Sequence, residues 1–341
     1  MLTATSIEDR LPLLITGLAG VAGYNAFAYF REKYPGQVFA LRRQEYWSLA
    51  GPGILACDTE DSEAFRRLLD VHEFRSILHC CGSCALKSCE LDPSMAYRVN
   101  VNGIANLIDQ VEKVGANVRL VCLSIDLVYS GTAGGSYVET DPTDPVTEYG
   151  KSMVLAEQLI SARRSDAAIL RISLPMGISF NGHAGAIDWI QNRFKHGRPA
   201  TLYYDEVRTP TYTDCLNRVL ESVLANDMAG VYHTGGPRRL SLYEIAQIVN
   251  RVGGYDPRKL HGCFRIQAGP MPPRAGNVSM VSQKLADAIG YLPFDPWPLR
   301  DEFVPTDRHW HFDRPAGEKG SPQFLKEMLY HNPRFALAAN R

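Results

Sequence analysis

The sequence lacks a long apolar run, an excess of basic residues and a charged-then-apolar segment at its start. Its longest apolar stretches are strand-sized, well short of the ~20 residues that cross a bilayer. Lys and Arg total 36, Asp and Glu total 37, and the formal net charge is −1. The segment Met1–Arg10 carries Glu8 and Asp9. These features predict a cytoplasmic protein that binds neither membranes nor nucleic acids.

Cysteine is sparse except in one short segment. Four of the eight cysteines are Cys80, Cys81, Cys84 and Cys89. Such crowding suits a zinc or iron–sulfur site, but Cys80 and Cys81 end an apolar stretch, where a small side chain packs well. We therefore expect no metal site. A disulfide between Cys84 and Cys89 is not expected in a reducing compartment either.

Short apolar segments alternate with amphipathic ones in the first half of the chain. The candidate strands are Leu13–Thr16, Val38–Leu41, Ser76–Cys80, Arg119–Leu123 and Ala168–Ile172. The candidate helices are Asn25–Lys33, Ser62–Val71, Ser94–Val114 and Tyr149–Arg163. Asp92 before Pro93 is a start signal for the third helix. The alternation predicts an α/β fold with a Rossmann-type, doubly wound, mostly parallel sheet.

The composition changes after about residue 175, where Gly and Pro become frequent. Candidate helices follow at Ala186–Phe194, Asp214–Ala225 and Leu242–Val252. They predict a smaller, mostly helical C-terminal substrate lobe over the carboxyl edge of the sheet. The expected domains are therefore 1–175 for dinucleotide binding, 176–290 for substrate, with some strand return to the main sheet, and 291–341 as an extension. One helix is expected in the extension, at Pro322–Tyr330.

A glycine-rich turn joins the first strand to the first helix. Gly17, Gly20 and Gly23 are spaced so that backbone amides can approach a pyrophosphate at the start of that helix. Their position between a strand and a helix makes the pattern more specific than it is alone. We interpret the segment as a dinucleotide-binding turn.

The second strand ends in two arginines instead of an acidic residue. Arg42 and Arg43 suit the 2′-phosphate of NADP, whereas a carboxylate would suit the ribose of NAD. NADP is therefore favoured over NAD, although both arginines could be solvated strand-end charges. Asp58 is placed to accept from an adenine amino group or, equally, to cap a turn.

Several segments, in sequence order, resemble the extended short-chain dehydrogenase/reductases. Within them, the chain is similar to the dTDP-4-dehydrorhamnose reductase group, which includes the regulatory β subunit of methionine adenosyltransferase. The matching segments are Glu90-Leu91-Asp92-Pro93, Val99-Asn100, Ser124-Ile125-Asp126-Leu127-Val128-Tyr129-Ser130-Gly131, Tyr149-Gly150, Arg208-Thr209-Pro210-Thr211 and Arg274-Ala275-Gly276-Asn277. The resemblance covers roughly residues 11 to 290 and implies a fold that binds a nicotinamide dinucleotide and a nucleotide sugar.

The resemblance also implies a catalytic Tyr, Lys and Thr, of which the chain keeps only Tyr149. The Lys position holds Met153 and the Thr position holds Ile125. Lys151 cannot replace the lost lysine because residues i and i+2 face different sides of a helix. Ser124 cannot replace the lost threonine at position 125, because neighbouring residues of a strand face opposite sides of the sheet. Loss of positioned proton transfer costs about 10²- to 10⁴-fold in rate.

The resemblance assigns two further sets of residues. The cofactor set is Gly17, Gly20, Val21, Gly23, Arg42, Arg43, Asp58, Cys80, Cys81, Gly82, Asn100, Tyr149 and Leu174. The substrate set is Ser124, Asp126, Arg208 and Arg274, with the two arginines near the nucleotide-sugar phosphates, although surface ion pairing would also explain them. His79 and Lys87 stand where the family usually has Asn and Asp, so the substrate preference is expected to differ. His79 is a candidate replacement acid, but a structural role is favoured for a histidine at a strand end.

Two functions remain open at this point. The first is an NADP-dependent sugar-nucleotide reductase or epimerase with a degenerate catalytic triad. The alternative is a non-catalytic dinucleotide-binding regulatory protein, which the apolar replacements favour. A lyase or dehydratase that needs one acid/base group is a weaker possibility. A homodimer is expected because the family's helices equivalent to Ser94–Val114 and Tyr149–Arg163 often pair across an interface.

Overall fold

The structure, a computed structural model, describes residues 6–82, 85–115, 117–315 and 317–335. Strands in this part of the chain are β1 (Leu13–Thr16), β2 (Val38–Arg42), β3 (Ile54–Ala56), β4 (Ser76–His79), β5 (Arg119–Ile125), β6 (Ala168–Ile172), β7 (Pro175–Met176), β8 (Ala200–Tyr203), β9 (Val207–Arg208), β10 (Thr211–Tyr212), β11 (Gly230–Thr234), β12 (Leu240–Ser241) and β13 (Leu260–Cys263). The α-helices are α1 (Val21–Lys33), α2 (Ser62–His72), α3 (Leu86–Leu91), α4 (Pro93–Tyr97), α5 (Gly103–Val114), α6 (Glu148–Arg163), α7 (Ala186–Lys195), α8 (Thr213–Ala225), α9 (Leu242–Val252), α10 (Gln283–Ile289) and α11 (Pro322–Leu325).

Seven strands form one parallel sheet in the order β11-β6-β5-β4-β1-β2-β3. The chain moves outward from β1 in one direction and then restarts on its other side at β4, which is the doubly wound arrangement. The predicted α/β class is therefore confirmed. The loops that follow β1, β2, β3 and β4 meet at the carboxyl edge of the sheet, where this architecture binds its ligands.

Apolar clusters cover both faces of the sheet. One cluster packs α2, α5 and α6 on one face, with Phe65, Ile104 and Ile160 among its buried members. The other holds α1 and α8 and continues into the C-terminal lobe, with Phe30 and Leu220 buried. Because each face is covered by helices, the central strands can be apolar on both sides.

Local sequence explains several helix ends. The Asp61 carboxylate accepts from the Ala64 amide at 3.0 Å at the start of α2. Ser241 and Glu244 form a reciprocal capping box at the start of α9. Gly115 ends α5 with φ +64°, a backbone conformation that favours glycine.

The single predicted helix Ser94–Val114 is wrong in one respect. Asp92 does cap the start, since its carboxylate accepts from the Met95 amide at 3.0 Å. However, α4 then passes through a π-helical turn at Arg98–Asn102 before α5 begins. Such turns are often found at functional sites, and this one carries Asn100.

The C-terminal part is more irregular than its predicted helices suggest. Three two-stranded sheets, β7–β10, β8–β13 and β9–β12, lie between the helices, while β11 returns to the main sheet beside β6. The predicted helix at Pro322–Tyr330 consists of α11 and a π-helical turn at Lys326–Tyr330. Among the described residues, none of the helices has the length and apolar character needed to cross a membrane.

The extension that begins near residue 291 packs onto the C-terminal lobe. Trp297 is fully buried, and its indole nitrogen donates to the Leu329 carbonyl at 2.9 Å. Tyr330 donates to Asp188 of α7. Arg251 of α9 forms two hydrogen bonds with Glu318, at 2.7 and 2.6 Å. The Tyr330–Asp188 and Arg251–Glu318 contacts join the extension to the lobe.

Candidate functional site

The turn after β1 is built for close approach of the backbone. Gly17 has φ +72°, and a Cβ there would lie 2.4 Å from the Cys80 carbonyl oxygen. A Cβ on Gly23 would lie 2.4 Å from the Gly17 carbonyl oxygen. Gly20 precedes the first residue of α1, Val21. The turn therefore directs free amides of a 13-residue helix toward the cleft, as phosphate binding requires.

An open cleft of about 190 Å³ lies in front of this turn. Its lining residues are Gly17, Leu18, Ala19, Gly20, Leu41, Arg42, Arg43, Tyr46, Cys57, Asp58, Thr59, Glu60, Cys80, Cys81, Gly82, Met95 and Val99. Each comes from or near the loop after β1, β2, β3 or β4, or from the α4 region. The cleft thus brings together Gly17, Gly20, the two arginines, Asp58 and the Cys80–Gly82 segment. Its lining does not include the other members of the predicted cofactor set, which are Val21, Gly23, Asn100, Tyr149 and Leu174.

Charges at the far end of the cleft partly offset one another. Arg43 Nε lies 3.1 Å from Glu45 and 3.6 Å from Asp58, and its side chain is 42% exposed. Burial raises the pKa of the Asp58 carboxyl, and the Arg43 guanidinium opposes that shift. Arg42 donates to the carbonyls of Arg43 and Gln44 at 3.1 and 3.3 Å. The Asp58 Oδ1 atom is buried and makes no hydrogen bond, and it faces Arg43 Nε at 3.6 Å.

Three cysteines line the cleft as thiols. Burial raises the pKa values of Cys57, Cys80 and Cys81 above that of an ordinary thiol. Protonated thiols are poor metal ligands. Cys84 lies outside the described residues, and among those described no group of three or more metal-binding side chains is present.

Tyr149 is fixed by the cap of α6. The Thr147 hydroxyl accepts from the Gly150 amide at 2.9 Å, and the Glu90 carboxylate accepts from the Glu148 amide at 2.7 Å. A Cβ on Gly150 would lie 2.3 Å from the Leu127 carbonyl oxygen, so glycine lets α6 pack closely on the turn after β5. Glu90 therefore positions the tyrosine helix.

Met153 lies one turn further along α6 and is buried. Tyr149, Met153 and Ile125 are 8%, 7% and 8% exposed and belong to one apolar cluster. A void of about 10 Å³ beside Met153 is lined by His79, Cys81, Asn100, Ile104, Leu123, Ser124, Ala156, Glu157, Ile160 and Ile169. This described lining contains no lysine or arginine.

Lys151 faces away from that void. Its ammonium pairs with Glu148 at 2.7 Å, and its side chain is 49% exposed. The hydrogen bond to Glu148 raises the pKa of Lys151, so the ammonium is held at the surface. This orientation agrees with the i, i+2 argument from the sequence.

Ser124 faces the opposite side of β5 from Ile125. Its hydroxyl donates to Glu157 of α6, a buried carboxylate that also binds Arg171 of β6 through two hydrogen bonds. Arg171 donates in turn to the Tyr129 hydroxyl at 2.6 Å. Ser124 is thus committed to an internal network, and its predicted contact with substrate stays a prediction.

Asp126, Arg208 and Arg274 belong to a cluster of alternating charge with Glu206. Asp126 is fully buried and accepts two hydrogen bonds from Arg208. Glu206 lies 3.9 Å from Arg208 and 3.7 Å from Arg274. Burial raises the pKa of Glu206, and both guanidinium groups oppose that shift. Arg274 is the more accessible arginine, with a side chain 25% exposed against 5% for Arg208.

His79 and Asn100 lie between the cleft and α6. The His79 ring nitrogen Nδ1 is 2.9 Å from the Thr16 hydroxyl, and burial lowers the pKa of His79 to about 4. At neutral pH the ring is therefore uncharged and cannot supply the cation lost at position 153. Asn100 donates to the Ser152 hydroxyl at 2.9 Å. Leu174 is half-buried before β7.

A nicotinamide dinucleotide fits this site only in part. The Gly17 turn, the amides at the start of α1 and the unsatisfied Asp58 oxygen match a pyrophosphate and an adenosine. The opposite end, around Met153 and Ile125, offers apolar side chains where the ribose and the reacting carbonyl need polar ones.

A profile of the RmlD substrate-binding domain matches residues 11–300, most of the chain. The protein belongs to that family. The resemblance inferred from the sequence is thereby confirmed. The chain is 27% identical to a dTDP-4-dehydrorhamnose reductase from Mycolicibacterium smegmatis over 246 residues. The matched segment covers 71% of this chain and 72% of the relative.

A second relative is not named as a reductase. Over 239 residues the chain is 24% identical to the Danio rerio methionine adenosyltransferase 2 subunit beta, covering 68% of this chain and 71% of that one. Among solved structures, a dTDP-4-dehydrorhamnose reductase from Bacillus anthracis, in complex with NADP, matches with a TM-score of 0.72 and 19% identity. That match covers 84% of this chain and 95% of the other, and it supports the Rossmann-type fold.

The sequence did not single out three residues that shape the site. Glu157 repeats the α6 spacing four residues after Met153, so its inward orientation was available as a signal. Glu206 and Tyr46 lie in loops without a regular period, where no pattern indicates direction.

Proposed function

We propose that this protein is a sugar-nucleotide reductase-like protein that binds NADP and in which the family's reductase chemistry is disabled. The observation that carries the proposal is the burial of Met153 and Ile125 around Tyr149. Bound NADPH would supply a hydride, but the chain must still deliver a proton to the substrate oxygen. Tyr149 is the one group of the family's three that remains to do so.

The proton-transfer step explains the expected loss. A tyrosine hydroxyl ordinarily has a pKa near ~10, and a neighbouring cation is what favours its ionised form. Met153 cannot supply that charge, and Lys151 is held by Glu148 at the surface. Ile125 cannot donate a hydrogen bond to a carbonyl oxygen. We expect a rate at least about 10²-fold below that of an enzyme with the full set.

The cofactor proposal is NADP in preference to NAD. Arg42 is the last residue of β2, Arg43 follows it, and both line the cleft together with Asp58. Two guanidinium groups favour a 2′-phosphate. Similar structures were solved in complex with NADP or with NAD, so the preference for NADP rests on the two arginines.

A nucleotide sugar is the proposed small-molecule ligand of the neighbouring lobe. Arg274 is partly exposed beside Tyr203, with its guanidinium 4.9 Å from the ring centre. An arginine in that setting suits a phosphate group. Arg208 is not proposed to bind the phosphate directly, because its guanidinium already donates two hydrogen bonds to Asp126.

A non-catalytic regulatory protein is the second candidate. The burial of apolar side chains at both lost positions favours it, since these side chains stabilise the core without serving proton transfer. Similarity to a methionine adenosyltransferase subunit supports this candidate as well. In that case the bound nucleotide would stabilise the fold or act as a signal that the protein senses, and no substrate would be turned over.

We further propose a cytoplasmic homodimer formed through α5 and α6. The support for this interface is the family resemblance, since the helices equivalent to α5 and α6 often pair across a dimer in that group. Light scattering of the purified chain would show twice the monomer mass. A monomer at all concentrations would contradict the dimer.

Titration with NADPH tests the main proposal. The fluorescence of bound NADPH should report saturable binding, after which a keto-sugar nucleotide is added and nicotinamide absorbance is followed. We expect binding without oxidation above background. Turnover that Tyr149→Phe abolishes would restore the reductase assignment, and absence of binding would refute the proposal.

A further inference from the structure

The cleft and helix α6 offer different kinds of side chain to the two halves of a dinucleotide. The described cleft lining extends from Arg42 and Asp58 to Gly17 and Gly82, and it does not include Tyr149, Met153 or Ile125. The groups of this cleft that suit adenosine and its phosphates therefore lie apart from Tyr149. The side chains of Met153 and Ile125 beside Tyr149 are apolar and buried.

The adenosine side carries specific polar groups. The start of α1 directs amides at a phosphate, and Gly17 allows the approach. Asp58 offers a buried carboxylate oxygen that makes no hydrogen bond, and Arg43 lies 3.6 Å from it. Tyr46 adds an aromatic side chain at the same end.

Hydrogen bonds from Asn25 of α1 hold the loop after β7 beside the start of that helix. The Asn25 side-chain amide donates to the Ile178 carbonyl at 2.7 Å and to the Val21 carbonyl at 2.8 Å. Phe180 packs edge-on against Tyr46, with ring centres 5.6 Å apart. These contacts hold the loop beside the start of α1 and against Tyr46, at the end of the cleft that carries Arg43 and Asp58.

We propose that the site is an adenine-nucleotide site, in which the adenosine diphosphate half provides nearly all of the affinity. The nicotinamide and its ribose contribute little, because Met153 replaces the group that would hold the ribose. The ligand class is then an adenosine carrying a 5′-diphosphate, with or without a 2′-phosphate and whatever follows the second phosphate. This inference rests on the nucleotide binding proposed above.

Calorimetry with matched ligand pairs tests the inference. The first pair is NADP and adenosine 2′-phosphate 5′-diphosphate, and the second is NAD and ADP. Within each pair the ligands share every atom from adenine to the second phosphate. We expect the dissociation constants in the tighter pair to agree within about fivefold. A dinucleotide that binds more than about fivefold tighter than its fragment would overturn the inference.

A variant provides an independent measurement on the same protein. Met153→Lys should tighten NADP about tenfold or more, since hydrogen bonds from a charged group are strong, while the fragment's affinity stays unchanged. Arg43→Ala is the matched control and should weaken both ligands of a pair by the same factor. Equal tightening of fragment and dinucleotide by Met153→Lys would contradict the inference.

The wild-type ratio decides the question even where Met153→Lys does not fold. Failure of all four nucleotides to bind would refute the proposed function itself. By contrast, tight binding of the dinucleotide with a weak fragment would refute only the inference. The two failures are thus distinguishable in one set of titrations.

Discussion

Glu157 of α6 and Arg171 of β6 form a buried ion pair with two hydrogen bonds, at 2.9 and 2.7 Å. Both side chains are at most 7% exposed. The pair joins the helix that carries Tyr149 to the central sheet. It is therefore the main polar anchor of α6 among the described contacts between α6 and β6.

Removing one partner of that pair should destabilise the fold strongly. Arg171→Met leaves the Glu157 carboxylate buried with only the Ser124 hydroxyl, and an uncompensated buried charge costs about 3–5 kcal/mol. Urea unfolding measures the difference. Arg67→Met breaks an exposed pair with Glu63 and should cost about 0–1 kcal/mol. Equal losses in the two variants would contradict this role.

His79 should make stability depend on pH. Burial lowers its folded pKa from 6.5 to about 4, so the unfolded chain binds the proton more readily. The contribution of the neutral His79 ring to the free energy of unfolding is complete above pH ~6.5 and is lost as the pH falls toward 4. At about pH 5 the loss amounts to roughly 2 kcal/mol.

Unfolding of wild type and His79→Asn at about pH 7.5 and pH 5 checks this contribution. The asparagine keeps a polar atom near the Thr16 hydroxyl but does not titrate. Its loss of stability between the two pH values should be smaller than that of wild type by about 2 kcal/mol. Identical losses would show that His79 does not titrate as described.

Trp297 should hold the extension together, because its hydrogen-bond partner Leu329 lies in the same extension. The side chain is fully buried and donates to the Leu329 carbonyl, so Trp297→Ala should cost about 3–5 kcal/mol. Trp47 is 77% exposed, and Trp47→Ala should stay within about 0.5 kcal/mol of wild type. Denaturant midpoints compare the two. A silent Trp297→Ala would mean that the extension is not part of the cooperative fold.

Gly17→Ala should abolish nucleotide binding. The new Cβ would meet the Cys80 carbonyl at 2.4 Å with φ at +72°, so the turn must shift away from its phosphate-binding geometry. Gly36→Ala is the matched control, because Gly36 has φ +75° and nothing within 4 Å of the added atom. Calorimetry should find no binding for the first variant and wild-type affinity for the second. Unchanged affinity in Gly17→Ala would exclude this turn as the binding site.

The regular part of the fold was predictable because its signals are local and periodic. The strands Leu13–Thr16 and Ala168–Ile172 and the helix Leu242–Val252 have the predicted bounds. The two-residue strands of the lobe were not predictable, since pairs such as β9 and β12 are too short to show a period. The π-helical turn at Arg98–Asn102 likewise depends on packing, which an amphipathic pattern does not report.

The candidate site shows the same division. The glycine turn and the losses at Met153 and Ile125 are visible in the sequence because a fixed spacing defines those positions. The Glu206 cluster depends on loops that meet only in the folded chain. No local pattern could show that Arg208 and Arg274 share one buried carboxylate at 3.9 and 3.7 Å.

Single-turnover reduction by wild type and by the Met153→Lys, Ile125→Thr double variant tests the central claim most directly. Each protein is saturated with NADPH and mixed with a dTDP-4-keto-6-deoxy sugar, and the loss of reduced nicotinamide is recorded. We expect background decay for wild type and a rate at least about 10²-fold higher for the double variant. Rapid oxidation by the wild-type protein, abolished by Tyr149→Phe, would contradict it.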